Sequence, residues 1–556
     1  QLQVEEQNIQ ATLDATRRAS GIDAAQIVAS RYTPGGVTAK AVADAPASVG
    51  SLRFLDQEPA QQDCQRLLTQ ISPFYACIDT DVDRYVIGGE PRTVFTVGGE
   101  INYQRAPDFQ RRHFTYTHGN GLLATAVNEI RPRDGRPVWS SFGVEQQGVT
   151  QLTPPLTHPE IYFGAQPGMP WAVANTRQAV FDRGENRQNV TWCTGEDAAR
   201  CGGEGGTGIR IGSGWRRLAI TEFLGGLPYV GGGRRVWNAT SGSERAPADE
   251  NSSLLLYRDI GSRMSELAPF LVPDSDPWFV AAEGRMWVLQ NLYVATDRYP
   301  YAANFNGVNY QRQPVVAAMD AYSGETHLFV TDPSEPMLAT YRKVYPGLFT
   351  DGARMDELAP GVRAHLRYGE DLFDFQSQAT LRFHVTTAET LYNGSEQWAP
   401  TQERLGSGAE GVLQNSAARY TYAVLPGERR ERFLLIRSFK PQAEGATGFS
   451  GWLAVSSDPG DFGRLTLIDF RTSPGLESLQ TFTQTVGNDA TLSGELGVRG
   501  RSILRGNALV VPIGQGLLYV QPIYLDSGGL LPTLFRVVVG LGDGRVASGA
   551  TFQAAL

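Results

Sequence analysis

Apolar positions along this chain follow two different periods, and the change between them divides the sequence. In E-E-Q-N-I-Q-A-T-L-D-A-T-R-R-A-S, near the start, apolar residues recur at helical spacing. The stretch to residue 31 predicts two short helices broken at Gly21, with Asp23 as a cap. A third helix is predicted from Pro59 to Ile71, where Cys64, Leu67, Leu68 and Ile71 share one face. From Asp81 onward the period shortens to two. D-R-Y-V-I, R-T-V-F-T-V, L-L-A-T-A-V-N-E-I and R-P-V-W-S-S-F each predict a strand.

Glycine then takes over between Gly195 and Gly233, and a polar run continues it to about residue 250, which marks an insertion or a boundary. A helix is predicted from Ser252 to Pro269, with Leu256, Ile260, Met264 and Leu267 on one stripe. The strands P-W-F-V-A-A and R-M-W-V-L-Q-N-L-Y-V-A-T follow, and then a hairpin from Val308 to Pro333 turning at Ser323-Gly324. In that hairpin Val316, Ala318 and Asp320 should face one way and Val315, Ala317 and Met319 the other. The second arm sets Thr326, Leu328 and Val330 against His327 and Phe329. Helices return at Pro336–Val344 and Asp371–Phe383, and the chain from about Tyr420 reads almost wholly as strand.

The fold class this predicts is α+β, with blocks of largely antiparallel strands and interspersed helices in two or more subdomains. Residues 1–31 read as a helical linker and 32–250 as a first subdomain carrying the Gly-rich insertion 195–250. Residues 251–400 read as a central helix-plus-hairpin subdomain, and 401–556 as a β-rich subdomain. No apolar run approaches the ~20 residues a spanning helix needs. A chain that opens at Gln1 inside a helix is expected to be a piece of something longer, with its targeting segment elsewhere.

Composition narrows the function classes. The net charge of -9 argues against nucleic acid, because a phosphate backbone selects basic surfaces. Lysine occurs only at Lys40, Lys343 and Lys440, an Arg-for-Lys bias that points to a GC-rich genome. The cysteines form two close pairs, Cys64 with Cys77 and Cys193 with Cys201, without zinc-ligand spacing. Two disulfides, and with them an oxidising, extracytoplasmic compartment, are the expected reading; free thiols are the alternative.

Candidate chemistry is sparse. In D-T-D-V-D-R-Y-V-I-G-G-E, Asp79, Asp81, Asp83 and Glu90 match positions 1, 3, 5 and 12 of a calcium loop. Arg84 stands where that template needs glycine, and the same aspartates would line one polar face of a strand. Calcium is thus one reading and a polar strand face the other. His118, in T-H-G-N-G, suits close backbone contact with a ligand, or a plain glycine turn. D-S-D-P at Asp274–Pro277 is a second acidic pair, for which a capping or turn sequence is the reading and a metal site the alternative. Asp276 and Asp297, close in sequence to Trp278, Trp287, Tyr293, Tyr299, Tyr301 and Tyr310, suit sugar binding or hydrolysis by paired carboxylates. Large strand residues filling a core explain the same aromatics. His327 is the hairpin's remaining candidate. No nucleophile elbow, Walker motif or metalloprotease helix is present.

A series of collinear segments resembles one family. It includes D-V-D-R-Y, T-H-G-N-G, L-L-Y-R-D-I, D-S-D-P-W, M-D-A-Y-S-G-E-T-H-L-F-V-T-D-P, H-L-R-Y-G-E-D-L-F, L-Y-N-G-S-E-Q-W and L-R-G-N-A-L-V-V-P-I-G-Q-G-L-L-Y-V-Q-P-I-Y. From about Asn8 onward the chain looks like the large exported domain of uncharacterised protein family 0182, bacterial multi-pass membrane proteins. That resemblance implies a membrane-embedded N-terminal region and a place on the extracytoplasmic face. It implies no reaction and no cofactor. The functional expectation is a domain that binds or scaffolds cell-envelope proteins or glycans, with homo-oligomerisation open. An envelope enzyme using Asp276, Asp297, His118 and Asp83 is the alternative. A PepSY-like regulatory hairpin is a third reading, resting on the pattern around D-A-Y-S-G-E.

Overall fold

In a computed structural model of the chain, the described residues are 2–556 apart from 88, 107, 143–149, 152–154, 189, 194–207, 213–214, 225–247, 249–250, 408–410, 444, 447, 472, 474, 490–501 and 527–530. They form an α+β fold with four large sheets. A six-stranded N-terminal sheet contains Tyr75–Cys77, Asp81–Ile87, Glu90–Ile101, Leu122–Ile130, Pro137–Phe142 and Thr150–Gln151. The central six-stranded sheet is built from strands between Val272 and Asp351. A third sheet joins Gln26–Ala29 to strands between Trp398 and Asp469, and a seven-stranded fourth sheet takes strands between Gln402 and Gly549. Most pairings are antiparallel; Gln26–Ala29 with residues 466–469, residues 329–330 with Thr350–Asp351, and Ser140–Ser141 with Thr150–Gln151 are parallel.

The period-two reading of the hairpin holds residue by residue. Tyr310–Asp320 pairs with Thr326–Val330, and both faces of the first arm are buried. Val315, Ala317, Met319, Leu328 and Val330 enter one apolar cluster, while Val316, Ala318 and Phe329 enter another. Asp320 closes the turn by accepting the backbone N–H of Tyr322 and Ser323 at 3.0 and 2.8 Å, and it pairs with Arg285. The hairpin therefore lies inside the central sheet and fills its core. The third sheet shows the same alternation: Phe433 and Leu435 pack towards the N-terminal sheet, and Leu434 and Ile436 towards the fourth.

The helices at Gln57–Ile71, Pro336–Val344 and Glu370–Phe383 fall where their apolar spacing placed them. Two local expectations are corrected. Beyond Gly21, whose φ is +79°, only one 3-10 turn forms before Gln26–Ala29 extends as a strand, because β-branched Ile27 and Val28 gain a partner strand at residues 466–469. The helix expected from Ser252 to Pro269 begins at Ile260. Ser253–Leu255 is instead a strand between Ala172–Ala174 and Gly208–Arg210, burying Leu254 and Leu255. Tyr257 at φ +45° breaks any helix there, and the Asp259 side chain accepts the Ser262 N–H as the new N-cap. Nearby, Arg111–Thr115 forms a π-type turn, and His113 stacks on Trp171 at 3.8 Å.

Candidate functional site

The N-terminal, central and third sheets meet at one buried guanidinium. Arg367 sits in the extended link ahead of helix Glu370–Phe383 and is 2% exposed. Its Nη1 donates to the Val82 carbonyl at 2.9 Å, and its Nη2 lies 3.0 Å from Asp276 and 3.5 Å from Asp81. The guanidinium lies 4.4 Å from the centre of the Trp278 ring and 5.6 Å from that of Tyr420. Val82 and Asp81 belong to the N-terminal sheet, Trp278 to the central one and Tyr420 to the third. One cation thus serves all three.

Local chain geometry explains how the carboxylates arrive there. The Asp274 side chain accepts the Asp276 N–H at 2.8 Å, an Asx turn as D-S-D-P implied, which turns Asp276 towards Arg367. Asp371, in the first turn of its helix, accepts from the backbone and hydroxyl of Ser275, both at 2.9 Å. Asp274 also accepts from the Tyr293 hydroxyl. A Cβ at Gly369 would lie 2.7 Å from the Asp274 carboxylate and closer still to the Tyr293 oxygen, so any larger residue would displace those side chains.

Among the described residues, Asp79, Asp81 and Asp276 are the one group of three potential metal-ligating side chains so close together, with ligand atoms within 4.8 Å of one another. That span suits a hard divalent cation, whose oxygen ligands lie roughly 2.3–2.6 Å away. Arg367 already supplies positive charge between Asp81 and Asp276, so a metal there would compete with a buried guanidinium. Burial raises the Asp81 carboxyl well above its usual range, the Asp276 charge adds to that, and Arg367 opposes both. Asp276 is raised too, mainly by burial, although its side chain is 31% exposed. Burial works against the Arg367 charge, but Asp276 and Asp81 more than offset it and hold the guanidinium firmly protonated. Glu370, beside them, is pushed up to about 7 by burial and by the Asp276 charge.

The calcium-loop residues separate. Asp79 and Asp81 stay together and gain Asp276, whereas Asp83 turns to His365, whose Nδ1 is 2.8 Å away. Glu90 begins the partner strand, opposite Ile87 at the hairpin end, and lines a cavity of about 490 Å³ with Ala39, Val42, Pro46, Arg92 and Asn128. The segment folds as a hairpin because Asp81–Ile87 pairs along its length with Glu90–Thr96, and Arg84 cannot make the sharp turn a calcium loop takes at its sixth position.

His118 is fully buried, with its Nε2 3.5 Å from Asp182 and its Nδ1 3.1 Å from the Thr117 hydroxyl. Burial opposes the Asp182 charge, yet His118, Arg187 and Arg183 together bring its pKa below the usual carboxylate value. The compactness of T-H-G-N-G serves chain-to-chain contact: a Cβ on Gly119 would lie 2.3 Å from the Gly99 carbonyl oxygen, and one on Gly99 2.3 Å from that of Asn120. His327 pairs with Glu325 at 3.2 Å, and Asp297 is exposed beside Arg298 at 3.7 Å. Neither joins the Arg367 junction. Trp278, Trp287 and Tyr293 are core residues, 0–1% exposed.

Cys64 and Cys77 form a disulfide between helix Gln57–Ile71 and strand Tyr75–Cys77. Cys193 is also disulfide-bonded, and Cys201 lies outside the described residues.

The residues not singled out from sequence are Arg367, His365 and Glu100. Arg367 and His365 lie in the run H-L-R-Y-G-E-D-L-F, where a cation between apolar neighbours is the one signal they leave. Glu100 ends T-V-G-G-E and is 3% exposed. Burial pushes its carboxyl up to about 7 against the N–H groups of Gln166 and Ala165, with the charges of Asp79 and Asp259 adding to the rise. Folded Glu100 therefore holds a proton that the unfolded chain, at an ordinary value of 4.5, releases. Its stabilising effect is complete at low pH and is lost as pH rises through about 7. Wild-type stability relative to Glu100→Gln should fall from about pH 5 to about pH 8 in urea unfolding. A difference independent of pH would show that the carboxyl is ionised throughout.

A protein of this architecture, with a salt-bridged junction where three of its sheets meet, is identified through its relatives. The uncharacterised protein family UPF0182 matches residues 1–498, and the chain belongs to that family. A UPF0182 protein of Pelotomaculum thermopropionicum is 30% identical over 568 residues, covering 100% of this chain and 58% of its own length. One from Nostoc sp. is 29% identical, with 100% and 57% covered, and one from Methanospirillum hungatei is 30% identical, with 89% and 53%. The chain thus spans little more than half the length of these relatives. No solved structure matches it.

Proposed function

We propose that this chain is the extracytoplasmic part of a membrane-anchored UPF0182 protein, and that it binds or scaffolds cell-envelope proteins or glycans. The observation that supports this reading most is the Cys64–Cys77 disulfide, since such bonds persist in oxidising compartments and are rare in the cytosol. The further sequence of the relatives is read as the anchor. Among the described residues no helix is long and apolar enough to cross a membrane.

The scarcity of lysine supplies a direct test. Lys40 has a side chain 83% exposed and Lys343 is also exposed. A membrane-impermeant amine-reactive biotin, applied to intact cells or to spheroplasts where an outer membrane is present, should label the full-length protein at these positions. Labelling only after lysis would refute the extracytoplasmic placement. Retention of the purified chain on isolated envelope glycan or by defined envelope proteins is the matching test of binding.

A further inference from the structure

The cavity of about 490 Å³ at the Glu90 end of the N-terminal sheet has walls from five elements. Helices Ala39–Ala43 and Pro46–Gly50 supply Val42, Pro46 and Val49, and strand Glu90–Ile101 supplies Glu90 and Arg92. Strand Leu122–Ile130 and helix Phe552–Ala555 add the side-chain amides of Asn128 and Gln553. The apolar side is anchored, because Val42 and Val49 pack on the core that the third and fourth sheets share. Gly50 runs so close to the strand that a Cβ there would lie 3.3 Å from the Pro91 carbonyl oxygen. A cleft of this size, apolar with a few convergent polar groups, has the form of a small-ligand site.

Charge says which ligand. Among the described lining residues Glu90 and Arg92 are the charged side chains, and neither has an ion-pair partner among the described residues. The charges nearby are already engaged. Lys40 pairs with Asp44 at 2.7 Å, and Glu431 accepts the Ala47 and Ser48 N–H groups at 3.2 and 2.6 Å. The start of helix Pro46–Gly50 is therefore closed to an outside anion, which leaves Arg92 to bind one. Glu90 and Arg92 stand two residues apart on one strand, so they project from the same face with Cα atoms roughly 6.5–7 Å apart. An extended dipeptide separates its two charged ends by about that span. Its central amide can meet Asn128 or Gln553, and its side chains can lie on Val42, Pro46 and Val49. A fatty acid or a phosphate would satisfy Arg92 alone and set negative charge beside Glu90.

We propose that this cleft binds a short apolar peptide of dipeptide size through both free termini, the ammonium on Glu90 and the carboxylate on Arg92.

Calorimetric titration of the chain with L-alanyl-L-leucine at low salt tests it. One-to-one binding is expected, weakened by added salt because both contacts stay partly open to water. N-acetylation of the dipeptide, or amidation of its carboxylate, should each weaken binding by about tenfold or more. Glu90→Gln should cause the same loss for the free dipeptide and no further loss for the acetylated one. Arg92→Gln should behave likewise towards the amidated one. Glu90 is exposed and Arg92 partly so, and unchanged circular dichroism and Tm would show each variant folded. No binding by the wild type overturns the proposal, as does binding indifferent to both caps or to both substitutions. A loss on amidation with none on acetylation would also overturn it, and would assign the cleft to a plain carboxylate. Surface biotinylation reports on compartment alone, so failure there and failure here are separate results.

Discussion

Replacing Arg367 by methionine is expected to lower unfolding stability by about 3 to 5 kcal/mol, the largest effect of any single substitution considered. The reason is the partner left behind. Asp81 is 3% exposed, and without the guanidinium it must either carry an uncompensated charge in the junction or take up a proton. The Val82 carbonyl loses a donor, and the Trp278 and Tyr420 rings lose the cation packed on them. Adding Asp81→Asn should recover part of the loss, because the orphaned charge is then gone. Chemical unfolding of the wild type, both single variants and the double variant gives the coupling directly. A cost for Arg367→Met below about 1 kcal/mol would mean that the junction is solvated and the pair weak.

The second large effect is expected from the double substitution of Cys64 and Cys77 by alanine. The bond closes a loop of sequence separation 13, for which chain entropy alone corresponds to about 3 kcal/mol. The sulfurs also fill core: Cys64 is 0% and Cys77 5% exposed, and both pack in the cluster that holds Leu68, Phe95 and Trp139. Small cavities would add to the loss. A lower denaturation midpoint for the variant is expected, and for the wild type under reducing conditions in denaturant. Because the bond is buried, a reductant should act on the folded chain only slowly. Equal midpoints with and without the bond would remove it from the stability of the fold.

The two predictions probe complementary kinds of tie. The disulfide joins a helix to the strand that follows it six residues after the helix ends at Ile71, if counted to Cys77. Arg367 joins segments near residues 82, 276 and 420, which only the folded chain brings together. Local ties leave marks in a sequence. Distant ones do not.

That difference accounts for what was legible. Period-two alternation placed the central hairpin and its two faces, since one residue's slip would have exchanged Val315, Ala317 and Met319 with Val316 and Ala318. D-S-D-P read as a turn because an aspartate caps backbone two residues on. Family membership was legible from many short collinear runs. The expected helix from Ser252 was misplaced because a short apolar run with helical spacing also suits a buried strand, and neighbours decide between them. Calcium spacing drew Asp83 and Glu90 into one set, although strand pairing sends one to His365 and the other to the far end of a hairpin.

The sequence by itself determined the α+β class, the family and the two faces of the hairpin, and made Cys64–Cys77 the expected pairing, all of which rest on residues close in the chain or on patterns repeated along it. Only the tertiary structure decided that Asp276 joins Asp79 and Asp81, that Arg367 pairs with Asp81 and Asp276, and that Phe270 stacks on Tyr341 and Tyr345. Those contacts arise when sheets pack, and the forces that bring them together are burial and charge pairing between segments with no fixed separation in sequence.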